Sequence, residues 1–284
     1  MSVLRTTKMG KIKVNMETFN SAEELMKVCN TRAITDDRFL DVKKMDLKHY
    51  DGYDGAGVDS YEEALKLLKT GYQPIVDEMK KNAKISLSGE KKRYQFNNQV
   101  HGFMPVVPLA LKGVPNSMLN MTARTIKTKV IDVYYDMTCP AHVSAKQILE
   151  NGKNVLRAVM DLETQGYRFN LYAVQTYTDS SACDMLVVKV KSAERPLDIK
   201  RISFALAHTA FFRVIGFDWI SKTPNGKYRY GYGHYLAVEF KNESKLQQEV
   251  KKVFGKNAVY FAGAKMCYKD EEYLKGVLTN ESAA

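Results

Sequence analysis

The 284-residue chain is 45% hydrophobic, enough for a buried core in one large domain or in a core domain with a substantial extension. No apolar run approaches the ~18 residues of a membrane span. Met1–Met9 also lacks a signal peptide's apolar stretch, so the sequence predicts a soluble protein that stays inside the cell that makes it. The 43 Lys and Arg exceed the 32 Asp and Glu by eleven, which fits a nucleic acid or other polyanion as partner and fits a solvated basic surface equally well.

In chain order, residues 1–12 are basic and patternless and read as a mobile arm. Ser21–Cys29 begins with an N-cap and an acidic first turn, which predicts a short helix. Asp51–Gly57 is turn-rich and only superficially like a calcium loop. Glu62 falls at the twelfth position, but the glycine spacing is wrong and Glu62 lies inside a helix. Ser60 with Glu63 forms a capping box for that helix, Ala64, Leu65, Leu67 and Leu68 face inward, and Gly71 closes it. Residues 80–93 are lysine-rich and read as an exposed helix end and linker. His101–Met118 mixes prolines and glycines with apolar residues and reads as a rigid, packed connector that wraps a sheet.

The most legible stretch is Thr128–Asp179. Val130, Ile131, Val133, Tyr134 and Tyr135 form a strand run, and Ser144 with Gln147 caps a helix whose apolar positions include Ile148, Leu156, Val159 and Leu162. Gly152, on the same face, points to close packing of the helix on a sheet, Gly166 suits a left-handed cap, and Tyr167–Thr178 reads as a second strand. A βαβ unit of this kind forces a parallel strand pair. Met185–Lys191 then reads as a third strand, antiparallel to the second because the connection is short, and as a sheet edge. Pro196 and Asp198 start a helix to about Ile215, ended by Gly216. His208 within it reads as a core or surface imidazole, and His101 likewise as packed or surface. Tyr235–Phe240 reads as a fourth strand, Glu243–Phe254 as a helix, Ala258–Ala262 as a fifth strand and Asp270–Leu278 as a last helix. This divides the chain into a mostly helical region (residues 1–99), a Pro/Gly connector (100–127) and an α/β domain (128–284).

The element order resembles a von Willebrand factor A-type domain. SYEEALKLLKTGY (60–72), VHGFMPVVPLALKGVPNSM (100–118) and VSAKQILENGKNVLRAVMDLETQGYRFNLYAV (143–174) resemble, in that order, an uncharacterised family carried mainly by bacteriophages, over residues 55–265. The resemblance implies a Rossmann-like (von Willebrand factor A-like), mostly parallel sheet flanked by helices. It also implies a viral protein of the infected host's cytoplasm or of the virion.

A-type domains hold a divalent ion with Asp-x-Ser-x-Ser and later loop oxygens. The matching stretch here is Asp136-Met137-Thr138-Cys139-Pro140, where Asp136 and Thr138 fit and Pro140 brings no side-chain oxygen. Ser192 and Asn242 or Glu243 complete the candidate set, which the sequence predicts to be degenerate, with Asp136 and Thr138 capping loop amides instead. No other cofactor is implied. Cys29, Cys139, Cys183 and Cys267 show no C-x-x-C spacing, which argues for free thiols and against structural zinc. The common catalytic motifs are missing from the sequence, and Asp184 with Glu239-Phe240-Lys241 echoes a metal-dependent nuclease only faintly. Lys227–Tyr235 interleaves Tyr228, Tyr230 and Tyr232 with Lys227, Arg229 and His234, a pattern that could stack bases and hold phosphates, or contact a protein. As a loop entering strand four it should lie at the sheet end opposite Asp136.

The function expected from all this is a non-enzymatic binding module for protein–protein assembly with other phage or host proteins, or as a homo-oligomer. Single-strand nucleic-acid binding is the alternative, a metal-dependent hydrolase the third reading, and a membrane role is not expected.

Overall fold

Ile12, Val14 and Met16 are buried between less buried Lys13 and Asn15, a period of two that makes a strand. In the computed structural model the expected mobile arm is therefore a β-hairpin of β1 (Val3–Met9) and β2 (Ile12–Phe19). The structure describes residues 2–48, 55–82, 92–125, 130–179, 181–224, 234–266 and 269–283. The hairpin leads into α1 (Ala22–Thr31), capped by the Ser21 hydroxyl, then α2 (Tyr61–Thr70) and α3 (Gln73–Asn82). Ser60 Oγ accepts from the Glu63 amide and Gly71 closes α2, as its sequence predicts. Residues 51–54 of the turn-rich Asp51–Gly57 stretch and the linker at 83–91 lie outside the described residues.

Residues 92–125 form a small sheet of their own: β3 (Lys92–Gln99), β4 (Met104–Pro105), a short helix α4 (Val107–Leu111) and β5 (Met118–Thr125), in the order β3-β5-β4. The expected packed connector is thus part of an antiparallel sheet with β5 at its centre, and α4 buries none of its residues. Proline-containing apolar sequence fixes extended backbone without fixing what covers it.

The βαβ unit is present as β6 (Val130–Asp136), α5 (Ala145–Thr164) and β7 (Arg168–Thr178), with β6 and β7 parallel. Gly152 brings α5 against another helix rather than a sheet. A Cβ there would sit 2.2 Å from the carbonyl oxygen of Leu206. β8 (Ala182–Lys191) runs antiparallel to β7, as expected, but is no edge, because β2 pairs with its other side.

After α6 (Ile199–Ala207) the chain breaks at His208, passes through a π-helical stretch Phe211–Gly216, and continues as α7 (Phe217–Lys222). Gly216 does not stop the helix. It is there because a Cβ would fall 1.3 Å from Oε1 of the buried Gln175 on β7. The expected fourth strand is instead a 3-10 turn, Leu236–Glu239, followed by α8 (Glu243–Phe254), β9 (Ala258–Ala262) and α9 (Glu271–Ala283).

The main sheet has six strands in the order β1-β2-β8-β7-β6-β9. Three of its pairings are parallel (β2–β8, β7–β6, β6–β9) and two are antiparallel, giving a mixed α/β fold with a mostly parallel sheet flanked by helices. α8 packs over β9 and β1 on one face, burying Tyr134, Leu246, Val250 and Tyr260. α5, α6 and α9 build the larger core on the other, around Leu156, Phe169, Phe204 and Phe261.

Candidate functional site

In α/β sheets the crevice beyond the carboxyl ends of the strands is the usual place for a ligand, and Asp136 ends β6 there. It is fully buried, and three donors converge on its carboxyl group. The Thr138 amide reaches Oδ1 at 2.9 Å, while the Thr176 hydroxyl and the Tyr260 hydroxyl reach Oδ2 at 2.7 and 2.5 Å. Thr138 Oγ1 donates to the Thr176 carbonyl at 3.1 Å and accepts from the Thr176 amide at 2.8 Å. Burial raises the Asp136 pKa above the usual carboxylate range even with these donors in place. Burial, and then the neighbouring carboxyl group, raise that of Tyr260. The loop amide of Thr138 is capped by Asp136 as the sequence implies. The carboxyl oxygens are thereby engaged within the fold and do not face solvent.

Of the other residues of the candidate metal set, Ser192 lies at the opposite end of the sheet, while Asn242 and Glu243 begin α8 near the end of β9 and are engaged otherwise. β8 is antiparallel, so Ser192 follows Lys191 at the level of Leu171, toward the amino ends of β6 and β7, whereas Asp136 pairs with Val174 at their carboxyl ends. Asn242 caps α8, its Oδ1 accepting from the Lys245 amide at 2.9 Å. Among the described residues no three His, Cys, Asp or Glu side chains form a group that could hold a metal ion. The nuclease echo also fails, since its strand does not form. Asp184 is buried and accepts from Asn15 Nδ2 at 2.9 Å, and Glu239 and Lys241 are exposed at a turn. Cys29, Cys139 and Cys183 are buried, and burial pushes the Cys183 thiol up to about 12, far from the thiolate a nucleophile needs. His208 is buried, and the same effect lowers it to about 4.

Lys227, Tyr228, Arg229, Tyr230 and Tyr232 lie outside the described residues; His234, the end of that loop, is described and exposed. The Thr178 amide donates to the His234 carbonyl at 3.1 Å, and the Leu236 amide to Thr176 Oγ1 at 3.0 Å. The loop therefore rejoins the sheet at the Asp136 end. The sequence points to the opposite end, because Tyr235–Phe240 reads as a strand entered from the amino side; the 3-10 turn in its place removes that reason. The turn that replaces this strand lies across the strand ends and is held there by Lys265 Nζ, which donates to the Ala237 carbonyl at 2.8 Å.

Beside the turn, the start of α8, the end of β9 and the start of α9 enclose a cavity of about 260 Å³. Its lining includes Glu243, Leu246, Tyr260, Lys265, Lys269 and Tyr273. Inside it the Tyr273 hydroxyl donates to Glu243 at 3.0 Å, and Lys269 Nζ sits 4.1 Å from the Tyr273 ring centroid. Burial, followed by the Glu243 carboxylate, pushes the Tyr273 phenol up to about 12. Sequence reasoning missed this cavity because no local pattern joins three elements thirty residues apart.

The second candidate surface is the small sheet with its connections, residues 92–125. Of twelve large apolar side chains exposed among the described residues, eight fall between Phe96 and Met121, so the apolar surface is concentrated and not scattered. Leu111, at 84%, is nearly as exposed as in an unfolded chain. Phe96 and Phe103 meet edge to face with ring centroids 6.3 Å apart, Phe96 stands opposite Met121, and Met104 stands opposite Leu119.

Fold and surfaces together define a mixed α/β protein in which the strand-end carboxyl group of Asp136 is buried by its neighbours and eight of the twelve large apolar side chains exposed among the described residues fall in residues 96–121. The chain belongs to the family described as a domain of unknown function, DUF7192, whose model matches residues 5–277. No curated protein and no solved structure matches it. Among the described residues no helix is long and apolar enough to cross a membrane.

Proposed function

We propose that this protein is a non-enzymatic, phage-encoded binding module that acts in protein–protein assembly, with other phage or host proteins as partners. The observation that carries the reading is the exposed apolar content of residues 96–121. Each large apolar side chain left fully in water forgoes about 1.5–3 kcal/mol of burial, and eight exposed ones fall in this one stretch of strands, loops and α4, which buries none of its residues. Apolar surface concentrated in this way supports a contact role. The finer fold reading, a Rossmann-like von Willebrand factor A arrangement, is supported by the parallel β6–α5–β7 unit with antiparallel β8 beside it. A-type folds are most often used for protein contacts, and the expected setting of this one is the infected host's cytoplasm or the virion.

The test compares the full chain with a Phe103→Ser/Val107→Ser/Leu111→Ser variant in co-purification and light scattering. Partner or self-association present in the native chain and lost in a folded variant supports the reading. A strict monomer without partner, or a partner retained by the variant, overturns it.

Single-strand nucleic-acid binding is the second reading, favoured by the anchoring of the tyrosine-rich loop at the strand ends near the cavity that holds Lys265 and Lys269. In that case affinity falls steeply with salt, and Tyr230→Ala and Tyr232→Ala weaken binding while leaving the salt slope nearly unchanged. Arg229→Ala reduces the slope instead. Binding indifferent to both tyrosines removes the loop as a stacking platform.

A further inference from the structure

The cavity between α8, β9 and α9 plays no part in the assembly reading, and its size and lining narrow what it can hold. A cavity of about 150 Å³ takes up benzene, so one of about 260 Å³ has room for a single ring and one small charged group. Its floor is apolar, since Leu246, Tyr260, Ala262 and Met266 are all buried. Its polar side is cationic. Lys265 Nζ gives one hydrogen to the Ala237 carbonyl at 2.8 Å, and an ammonium carries three. Lys269 is set in place by its backbone, whose amide donates to the Met266 carbonyl at 2.9 Å and whose carbonyl accepts from Asn154 Nδ2 at 3.4 Å. Glu243 is the one carboxylate in the lining, and it accepts the Tyr273 hydroxyl. The acidic residues after Lys269 are engaged otherwise: Asp270 caps the Tyr273 amide at 2.9 Å, and Glu271 and Glu272 pair with Lys275 at 2.7 and 3.1 Å. Two ammonium groups against one carboxylate leave the lining one positive charge in excess.

We propose that this cavity binds a small aromatic acid, one ring bearing a carboxylate or a phosphate, with the ring on the Leu246–Tyr260–Met266 floor and the acid group at Lys265 and Lys269. A cavity that joins an apolar floor to a few convergent polar groups is the usual form of a small-molecule site, and this one lies where β9 ends. An inorganic anion would satisfy the lysines and leave the floor in water. An aromatic amine would bring a third cation to a lining whose one carboxylate already holds the Tyr273 hydroxyl. The site is built on the large sheet and is independent of residues 96–121.

The test titrates the full chain with benzoate, phenyl phosphate, benzylamine, inorganic phosphate and a single-stranded oligothymidylate, followed by NMR of ring-labelled tyrosines. The inference expects one aryl acid per chain at a dissociation constant of about 1 mM or tighter, with the largest shifts at Tyr260 and Tyr273. Lys269→Gln should weaken binding about tenfold while keeping the native melting temperature. Ala262→Leu, which fills the cavity, should abolish binding in a chain that still melts cooperatively. Neither aryl acid bound in the millimolar range, benzylamine bound more tightly than benzoate, or inorganic phosphate bound as tightly as phenyl phosphate overturns the inference. So does aryl-acid binding that both variants leave unchanged. Oligothymidylate bound where the aryl acids are not overturns it in favour of the nucleic-acid reading.

Discussion

At the carboxyl ends of β6 and β7 a carboxyl group is buried and surrounded by donors; in residues 96–121, apolar side chains face water. The two regions leave opposite debts. Asp136 has spent its hydrogen-bonding capacity on Thr138, Thr176 and Tyr260, so the crevice has little left there for an ion. Phe103, Val107 and Leu111 stay largely exposed, so most of their burial remains available to a partner. The difference teaches where to look: a satisfied polar cluster argues for stability, and an unsatisfied apolar one argues for contact.

The largest effect should come from breaking the body's buried charge pairing. Lys222 pairs with Asp218, which also accepts from the Tyr61 hydroxyl at 2.6 Å, and Lys222 Nζ donates to the Cys29 carbonyl at 2.6 Å. Asp218→Ala leaves a buried ammonium without its anion and should cost about 3–5 kcal/mol in urea unfolding. A loss below ~1 kcal/mol would mean that water reaches the pair and that the body is less closed than described.

Asp136→Ala should come next, at about 2–3 kcal/mol, because the hydroxyls of Thr176 and Tyr260 lose their acceptor. Millimolar Mg²⁺ should leave the melting temperature of the native chain unchanged. An ion bound only to the folded state at a hundred times its dissociation constant would add about 2.7 kcal/mol. A rise that Asp136→Ala abolishes would show that the carboxylate does take a metal.

A smaller, pH-dependent effect belongs to Glu17. Its burial raises its pKa, but hydrogen bonds from Arg32 at 2.8 and 2.9 Å and from Trp219 Nε1 at 2.9 Å outweigh this and hold it below 4.5. A folded-state pKa below the unfolded one makes the stabilisation fully present above about pH 4.5 and lost as pH falls through the folded value. Stability of Glu17→Gln should therefore fall less steeply below pH 4.5 than that of the native chain. Parallel curves would remove Glu17 as an acid-sensitive anchor between β2, α1 and α7.

Much of the body was legible because its signals are local. Ser21, Ser60 and Ser144 each cap the helix that follows them, and the β6–α5–β7 unit follows from one strand run, one capping box and one cap glycine. What failed depends on distant partners. Leu236–Glu239 has strand-like residues, yet its amide hydrogen bond goes to Thr176, sixty residues away, and the chain turns across the strand ends instead of joining the sheet. Residues 3–19 form strands because β8 accepts β2 beside it, something a basic N-terminal sequence does not announce. Gly216 reads as a stop signal and is a contact with Gln175. At the candidate sites, Asp136 and Thr138 were recognisable from a strand end followed by a hydroxyl residue. The grouping with Ser192 fails because strand direction decides which loops meet, and Asn242 is taken up as the cap of α8. The apolar residues of 96–121 were visible in sequence, but whether they lie inside or outside is decided by packing that no spacing encodes.

The most direct test of this division is urea unfolding of the full-length Phe103→Ser/Val107→Ser/Leu111→Ser variant beside the native chain. If these side chains are held out for a partner, removing them should change the unfolding free energy by no more than about 1 kcal/mol, chiefly from the lost Phe96–Phe103 ring contact. If they pack within the fold, each truncation should cost on the order of 2–5 kcal/mol, and the variant would unfold several kcal/mol more easily or fail to fold. That result would contradict the account.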